Sequence, residues 1–169
     1  MKAFRKLAAL TASALLLVAN TSCMRQMSFG TQQTTPRDSS DGKSVSASWY
    51  EGGDGYHRAW QEWKQSKAPA LIYFHTDWCG YCREFERELL SSDEVKEYLQ
   101  NVVKVRINPE DGSEEREVAN MFGVTGYPSI FFFPNGASKP IRLARYKRTG
   151  GEAVPMSPTE FVQSCRALE

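Results

Sequence analysis

Two cysteines three residues apart, Cys79 and Cys82, stand in the run Trp78-Cys79-Gly80-Tyr81-Cys82 and are the residues best suited to chemistry. Thiols at that spacing can exchange electrons with another disulfide, supply half of a four-ligand zinc site, or close a structural bridge. Zinc needs further ligands. The remaining candidates, Cys23, Cys165, His57 and His75, are scattered singly, with no second C-x-x-C and no close histidine pair. Haem attachment needs His directly after the second cysteine, and Arg83 stands there. A tight pair at a helix start is more often redox-active than merely structural, so thiol–disulfide exchange is the expected chemistry.

The elements that must position this pair can be read on either side of it. Ala70-Leu71-Ile72-Tyr73-Phe74 is apolar, aromatic and β-branched, as a buried strand is. Arg83 to Leu90 is rich in helix formers, with Phe85 and Leu89 four apart on one face. The cysteines then fall where a strand turns into a helix. Unpaired N–H groups and the positive end of the helix dipole favour a thiolate there. Cys79, at the exposed end, is expected to attack, and Cys82, one turn further in, to resolve. Glu86 follows Cys82 by four residues on the same helix face, either to hold or accept a proton or as a solvated helix charge. Asp77 either tunes the thiol or caps the helix start.

The chain opens with Lys2, Arg5 and Lys6, then an apolar stretch from Leu7 to Ala19. A positive n-region and a short apolar core predict a signal peptide over residues 1–22. Small residues before Cys23 resemble the lipobox of bacterial lipoproteins, although Asn20 stands where that motif carries an aliphatic residue. Lipidation of Cys23 and ordinary cleavage near Ala19 both fit. Residues 23–48 are polar and poor in large apolar side chains, as a flexible tether is. Residues 49–169 then form one small domain. A balance of 21 basic against 20 acidic residues argues against a nucleic-acid surface.

Within that domain Trp49-Tyr50 and a glycine-rich turn precede a first helix, whose core face is Tyr56, Ala59, Trp60 and Trp63. Ser91-Ser92-Asp93-Glu94 has the form of a capping box and starts another helix, running to about Gln100. Val102 to Ile107 is a second strand. Glu114 to Phe122 is a helix burying Val118, Met121 and Phe122, with Gly123 as its stop and Glu114 to Glu117 as a solvated face. Ile130 to Phe133 is a third strand, Pro134-Asn135-Gly136 a turn, and Ile141 to Tyr146 an edge strand. Pro128, just before a strand, is a candidate cis residue. Ser157-Pro158-Thr159-Glu160 is a capping box with Pro at the first helical position. The last helix buries Phe161, Cys165 and Leu168, which makes Cys165 an inert core thiol. The order of elements implies an α/β fold, a mixed sheet covered by helices on both faces.

The chain resembles the thioredoxin superfamily over about residues 56–168. The resemblance rests on W-C-x-x-C after a strand, on Gly126-Tyr127-Pro128-Ser129 before a later strand, and on the element order between them. Within the superfamily, Asp77-Trp78-Cys79, Cys82-Arg83-Glu84-Phe85-Glu86 and Ser92-Asp93-Glu94-Val95 are similar to the C-terminal periplasmic domain of DsbD-type disulfide reductases and its single-domain DsbH-type relatives. The resemblance implies a thioredoxin fold with a cis Pro128 beside Cys79. It also implies that Tyr127 presents its backbone to a substrate strand, with Thr149-Gly150 as a third flanking loop. Trp78, Gly80 and Tyr81 complete the surroundings of the pair. Two departures stand out. Tyr73 occupies the position of a buried Asp that serves the resolving thiol in those families, leaving Glu86 or water to take its proton. The dipeptide Gly80-Tyr81 is found in the isomerase DsbC, and Gly126-Tyr127-Pro128 in protein disulfide isomerase domains.

The expected protein is therefore a monomeric thiol–disulfide oxidoreductase in a bacterial periplasm, either soluble or tethered through a lipid on Cys23. It would reduce disulfides of other exported proteins, draw electrons from a DsbD-type membrane donor, and need no cofactor or metal. An oxidase or isomerase using the same pair is the alternative direction. A non-catalytic binding or assembly module with a structural disulfide is the rival from another class.

Overall fold

The computed structural model describes residues 45–169. The expected signal peptide, the lipidation site at Cys23 and most of the expected tether lie outside the described residues. The end of that tether does not match the expectation. Val45 packs on the domain, and the buried Lys104 donates from Nζ to the carbonyl oxygen of Ser46 at 2.9 Å, so the domain begins before residue 49. Among the described residues no helix is long and apolar enough to cross a membrane.

The elements in chain order are β1 (Tyr50–Glu51), α1 (Gly52–Ser66), β2 (Ala70–Phe74), α2 (Gly80–Phe85), α3 (Asp93–Leu99), β3 (Val103–Ile107), α4 (Ser113–Met121), β4 (Ser129–Phe133), β5 (Ile141–Leu143), β6 (Tyr146–Thr149), β7 (Glu152–Pro155) and α5 (Pro158–Arg166). Helix α2 continues into a π-helical turn over Glu86–Leu90. The main sheet has the order β1-β3-β2-β4-β5. Strand β3 is parallel to β1 and β2, whereas β4 is antiparallel to β2 and β5. The fold is the expected mixed sheet.

Alternation along the two central strands explains why they are apolar throughout. Leu71 and Tyr73 of β2, with Ile130 and Phe132 of β4, face a core made with Phe85, Leu89, Val95, Leu99, Phe161 and Cys165 of α2, α3 and α5. Ile72, Phe74, Phe131 and Phe133 point the other way, onto Ala59 and Trp63 of α1 and Val118 of α4. Side chains of a strand alternate between faces, so a strand covered on both needs apolar residues at every position.

Several local expectations need correction. The glycines after Tyr50 do not form a turn; they are the first turn of α1. Two carboxylates of α4 explain part of this. Glu115 Oε1 accepts the Gly53 N–H at 2.8 Å, which holds its carboxyl below the usual range, and Glu114 pairs with His57 Nε2 at 2.8 Å. Glu115 therefore satisfies a helix-start donor, and Glu114 pairs with a side chain of α1, rather than both only facing solvent. Met121 is 63% exposed, and Ala119 takes the core position expected of it. Ser92, not Ser91, caps α3: its hydroxyl accepts the Val95 N–H at 3.3 Å, so no Glu closes a capping box. At α5 the capping box is complete, with Ser157 and Glu160 bonded reciprocally.

The expected edge strand ends early. Strand β5 stops at Leu143, and Tyr146 belongs to a separate hairpin, β6–β7. Thr149 pairs with Glu152, leaving Gly150 and Gly151 as a two-residue loop with φ of 62° and 91°. A hairpin loop with positive φ at both central positions is a type I′ requirement that glycine meets without steric cost. That pair was the signal for the missed hairpin.

Candidate active site

Strand β2 delivers the chain to the site. After Phe74 the His75 N–H bonds the carbonyl of Ile107 at 3.0 Å, and Thr76 accepts the Cys79 N–H at 3.1 Å, closing a tight turn. Cys79 is the N-cap of α2. Its carbonyl accepts from Cys82 N–H at 3.1 Å and Arg83 N–H at 3.2 Å, and its Sγ also accepts from Cys82 N–H at 3.1 Å. Asp77 therefore does not cap the helix. Its backbone carbonyl instead accepts from Arg83 Nη1 at 2.8 Å. Cys79 and Cys82 are joined as a disulfide, with their Cα atoms 5.2 Å apart. A thiolate left at Cys79 on reduction would have the Cys82 N–H beside it, a contact that favours the charged form.

Exposure differs from the sequence expectation. In the disulfide form Cys79 is 3% exposed, nearly as buried as Cys82, because both belong to the core cluster with Tyr73 and Phe85. The flanking side chains are what solvent meets: Trp78 is 66% and Tyr81 62% exposed. Trp78 is nevertheless anchored. Its indole Nε1 donates to both Glu110 carboxylate oxygens, at 3.0 and 3.1 Å, and its ring meets that of Tyr127 edge-on at 6.1 Å. At Gly80 an added Cβ would meet nothing closer than Arg83 Nη2 at 3.8 Å, so space alone does not demand glycine there.

The sheet brings the second motif to the same end. Phe74 pairs with Ser129, so Pro128 lies one residue beyond that pair, where β2 runs out toward the cysteines. The Tyr127–Pro128 bond is cis. Tyr127 packs against the cluster holding both sulfurs. Ser129 Oγ donates to the Gly126 carbonyl at 2.7 Å and accepts from Arg142 Nη2 at 2.9 Å, which fixes the loop before β4.

Tyr73 is fully buried in the core cluster that holds the disulfide, with rings of His75 and Phe85 at 5.3 and 5.4 Å. Its hydroxyl donates to Glu86 Oε1 at 2.9 Å. Burial, and then the Glu86 charge and hydrogen bond, push the phenol far above its ordinary value, so it remains a proton donor at neutral pH. Glu86 is half-buried, and its backbone N–H bonds the carbonyls of Cys82 and Arg83.

Thr149 and Gly150 form the tip of the β6–β7 hairpin, and at the base of that hairpin Arg145 reaches the cysteine turn. Sequence reasoning missed Arg145, because nothing in a run of basic residues marks which one folds back onto Tyr81. Cys165 is wholly buried, and burial pushes its thiol up to about 12. The two histidines lie apart, His57 on Glu114 and His75 on Tyr73. Among the described residues no three His, Cys, Asp or Glu side chains gather as a metal site.

Known proteins match this architecture. A probable protein disulfide-isomerase A6 of Medicago sativa is 30% identical over 95 residues, covering 56% of this chain but 24% of its own length. A thiol:disulfide interchange protein DsbD of Ralstonia nicotianae is 32% identical over 82 residues, 47% of this chain and 14% of its own. The chain thus spans a quarter or less of these curated relatives. Among solved structures, a DsbH oxidoreductase superposes with a TM-score of 0.54 at 21% identity, covering 79% of this chain and 92% of its own. The oxidised DsbD C-terminal domain of Neisseria meningitidis does so with a TM-score of 0.53 at 16% identity, covering 72% and 100%. These superpositions speak for the fold. The thioredoxin-like family model matches residues 49–135, a span that holds β2, the cysteine turn, the cis proline and β4. The chain belongs to the thioredoxin-like family.

Proposed function

We propose that this chain is an exported thiol–disulfide oxidoreductase that reduces disulfides of other exported proteins. The observation that carries the reading is the Cys79–Cys82 disulfide at the head of α2, flanked by exposed Trp78 and Tyr81. In the reducing direction the Cys79 thiolate attacks a substrate sulfur, one substrate sulfur leaves as a thiol, and a mixed disulfide forms. Cys82 then attacks Cys79 Sγ, closing the intramolecular disulfide and releasing the second substrate thiol. The electrons so lost return from a membrane donor of the DsbD type. Tyr127 and Pro128 form the wall along which a substrate strand lies.

The bacterial periplasm is the proposed location, either free or held through a lipid on Cys23. Its support is the charged start and short apolar stretch of the sequence. Reduction is favoured over isomerisation because the motif similarity to reductase domains extends through Glu86 and again through Ser92 to Val95. The isomerase reading draws on Gly80-Tyr81 and on the match to a disulfide-isomerase relative.

Insulin reduction driven by dithiothreitol, run on wild type and Cys79→Ser, tests the chemistry. Turnover by wild type and none by the variant is expected; an inert wild type would leave a binding module with a structural bridge. The reduction potential decides direction, since couples in this fold spread from about −270 to −120 mV. Cell fractionation of wild type and Cys23→Ala tests export and the lipid separately.

A further inference from the structure

Arg145 lies outside both sequence motifs, yet its side chain folds onto the cysteine turn. Its Nη1 donates to the carbonyl oxygen of Tyr81, the residue before Cys82, at 3.0 Å. Its guanidinium carbon lies 4.7 Å from the Tyr81 ring centroid and 4.1 Å from that of Tyr146. Nη1 also approaches Glu84 Oε2 at 3.6 Å, and the side chain is 13% exposed. The other cations near the turn are exposed, Arg83 donating to the Asp77 carbonyl and Arg87 pairing with Glu88. The carboxylates there are Glu84, Glu86 on Tyr73, and Glu110 on Trp78. The Arg145 charge also reaches inward: at the Tyr73 phenol, in the same cluster as both sulfurs, Arg106 of β3 and then Arg145 oppose the upward shift that burial imposes.

A planar guanidinium fixed between two rings and a carbonyl cannot swing into water as a surface lysine does. At low exposure its field is less screened than that of a solvated charge. The disulfide is neutral and gains nothing from this field. The reduced pair carries a thiolate on Cys79 and gains from it. We propose that Arg145 is a positioning residue that raises the reduction potential of the Cys79–Cys82 pair by stabilising its reduced form. This rests on the proposal that the pair is redox-active.

The test is equilibration with glutathione. The Cys79–Cys82 bond breaks as two glutathione thiols give it two electrons and two protons, their sulfurs join as glutathione disulfide, and the Cys79 thiol so formed releases its proton to the buffer to become the thiolate. The readout is the equilibrium constant for reduction, with circular dichroism confirming the fold. Arg145→Met is expected to lower the constant about three- to tenfold, tenfold being about 30 mV. Arg145→Lys, which keeps the charge, should recover at least half of that shift on a logarithmic scale. Glu84→Gln removes the counter-charge and should move the constant the other way. An unchanged constant in folded Arg145→Met, or a loss in Arg145→Lys as large as in Arg145→Met, overturns the proposal. Should Arg145→Met fail to fold, a constant unchanged or lowered in Glu84→Gln overturns it. A wild type that takes no electrons from glutathione instead removes the redox reading on which the inference stands.

Discussion

The Tyr73 hydroxyl donates to Glu86 Oε1 at 2.9 Å, and the Glu86 backbone N–H bonds the carbonyl of Cys82. A phenol, a carboxylate and the second cysteine are thereby tied along one helix face. The buried phenol holds its proton, so it cannot itself accept one from Cys82. What it can do is fix the carboxylate.

Glu86→Gln should accordingly slow release of the mixed disulfide at neutral pH by about tenfold or more, general bases being worth roughly 10²–10⁴. Tyr73→Phe leaves the carboxylate but frees it, and should give a smaller loss of rate with about 1 kcal/mol of stability lost. Stopped-flow resolution of a pre-formed mixed disulfide measures both. Equal rates for wild type and Glu86→Gln would remove Glu86 from the proton path.

The two cysteines should differ in what they trap. Cys82→Ser keeps an attacking thiol but no resolving one, so adducts with exported proteins should accumulate on non-reducing gels and vanish on reduction. Cys79→Ser should give none, and Cys165→Ala should change neither result. Adducts that need Cys165, or that form with Cys79→Ser, would reverse the roles.

The parts of the fold that were legible are those where one local rule acts alone. Strand β2, the cysteine turn and the capped start of α5 each announce themselves within a few residues. What escaped depends on partners far along the chain. Gly53 belongs to a helix start because Glu115, 62 residues away, accepts its N–H. Met121 has an apolar side chain at a plausible core position, but the rotation of α4 puts Ala119 inward instead. Arg145 is one of several basic residues near β5, and its role follows only from the chain leaving the sheet after Leu143. The burial of Cys79 was illegible for a similar reason: it shares a core cluster with Tyr73, Phe85 and Ile130, which come from three different elements.

Two neighbouring glycines in α1 should respond differently to alanine. At Gly55 a Cβ would lie 3.0 Å from the backbone carbon of Tyr50, whose strand is paired to β3 and cannot easily retreat. Overpacking costs about 1–3 kcal/mol, and the helix-propensity gain of about 1 kcal/mol offsets only part of it. At Gly53 the clash, 2.5 Å, is with the Glu114 side chain, which can swing away at the loss of its exposed contact to His57. Urea midpoints should therefore fall for Gly55→Ala and stay near wild type for Gly53→Ala. A larger fall for Gly53→Ala would contradict this account.

Cys165 carries a pH prediction whose sign follows from its burial. Its thiol is pushed up to about 12 in the folded chain, from an ordinary value of 9.0. Below pH 9 both folded and unfolded chains keep the proton, and stability does not depend on this group. Between 9 and 12 the unfolded chain releases a proton that the folded chain retains, so stability falls as pH rises, by about 1.4 kcal/mol per unit. The buried tyrosines Tyr73 and Tyr98 add to this, but from an ordinary value of 10.0 they contribute mainly at higher pH. Wild type should thus lose about 1 kcal/mol more between pH 8 and pH 10 than Cys165→Ala, which has no thiol to ionise. Urea unfolding at the two pH values, with the Cys79–Cys82 disulfide intact, measures the difference. Parallel losses in the two proteins would mean that the Cys165 thiol titrates as freely in the folded chain as in the unfolded one.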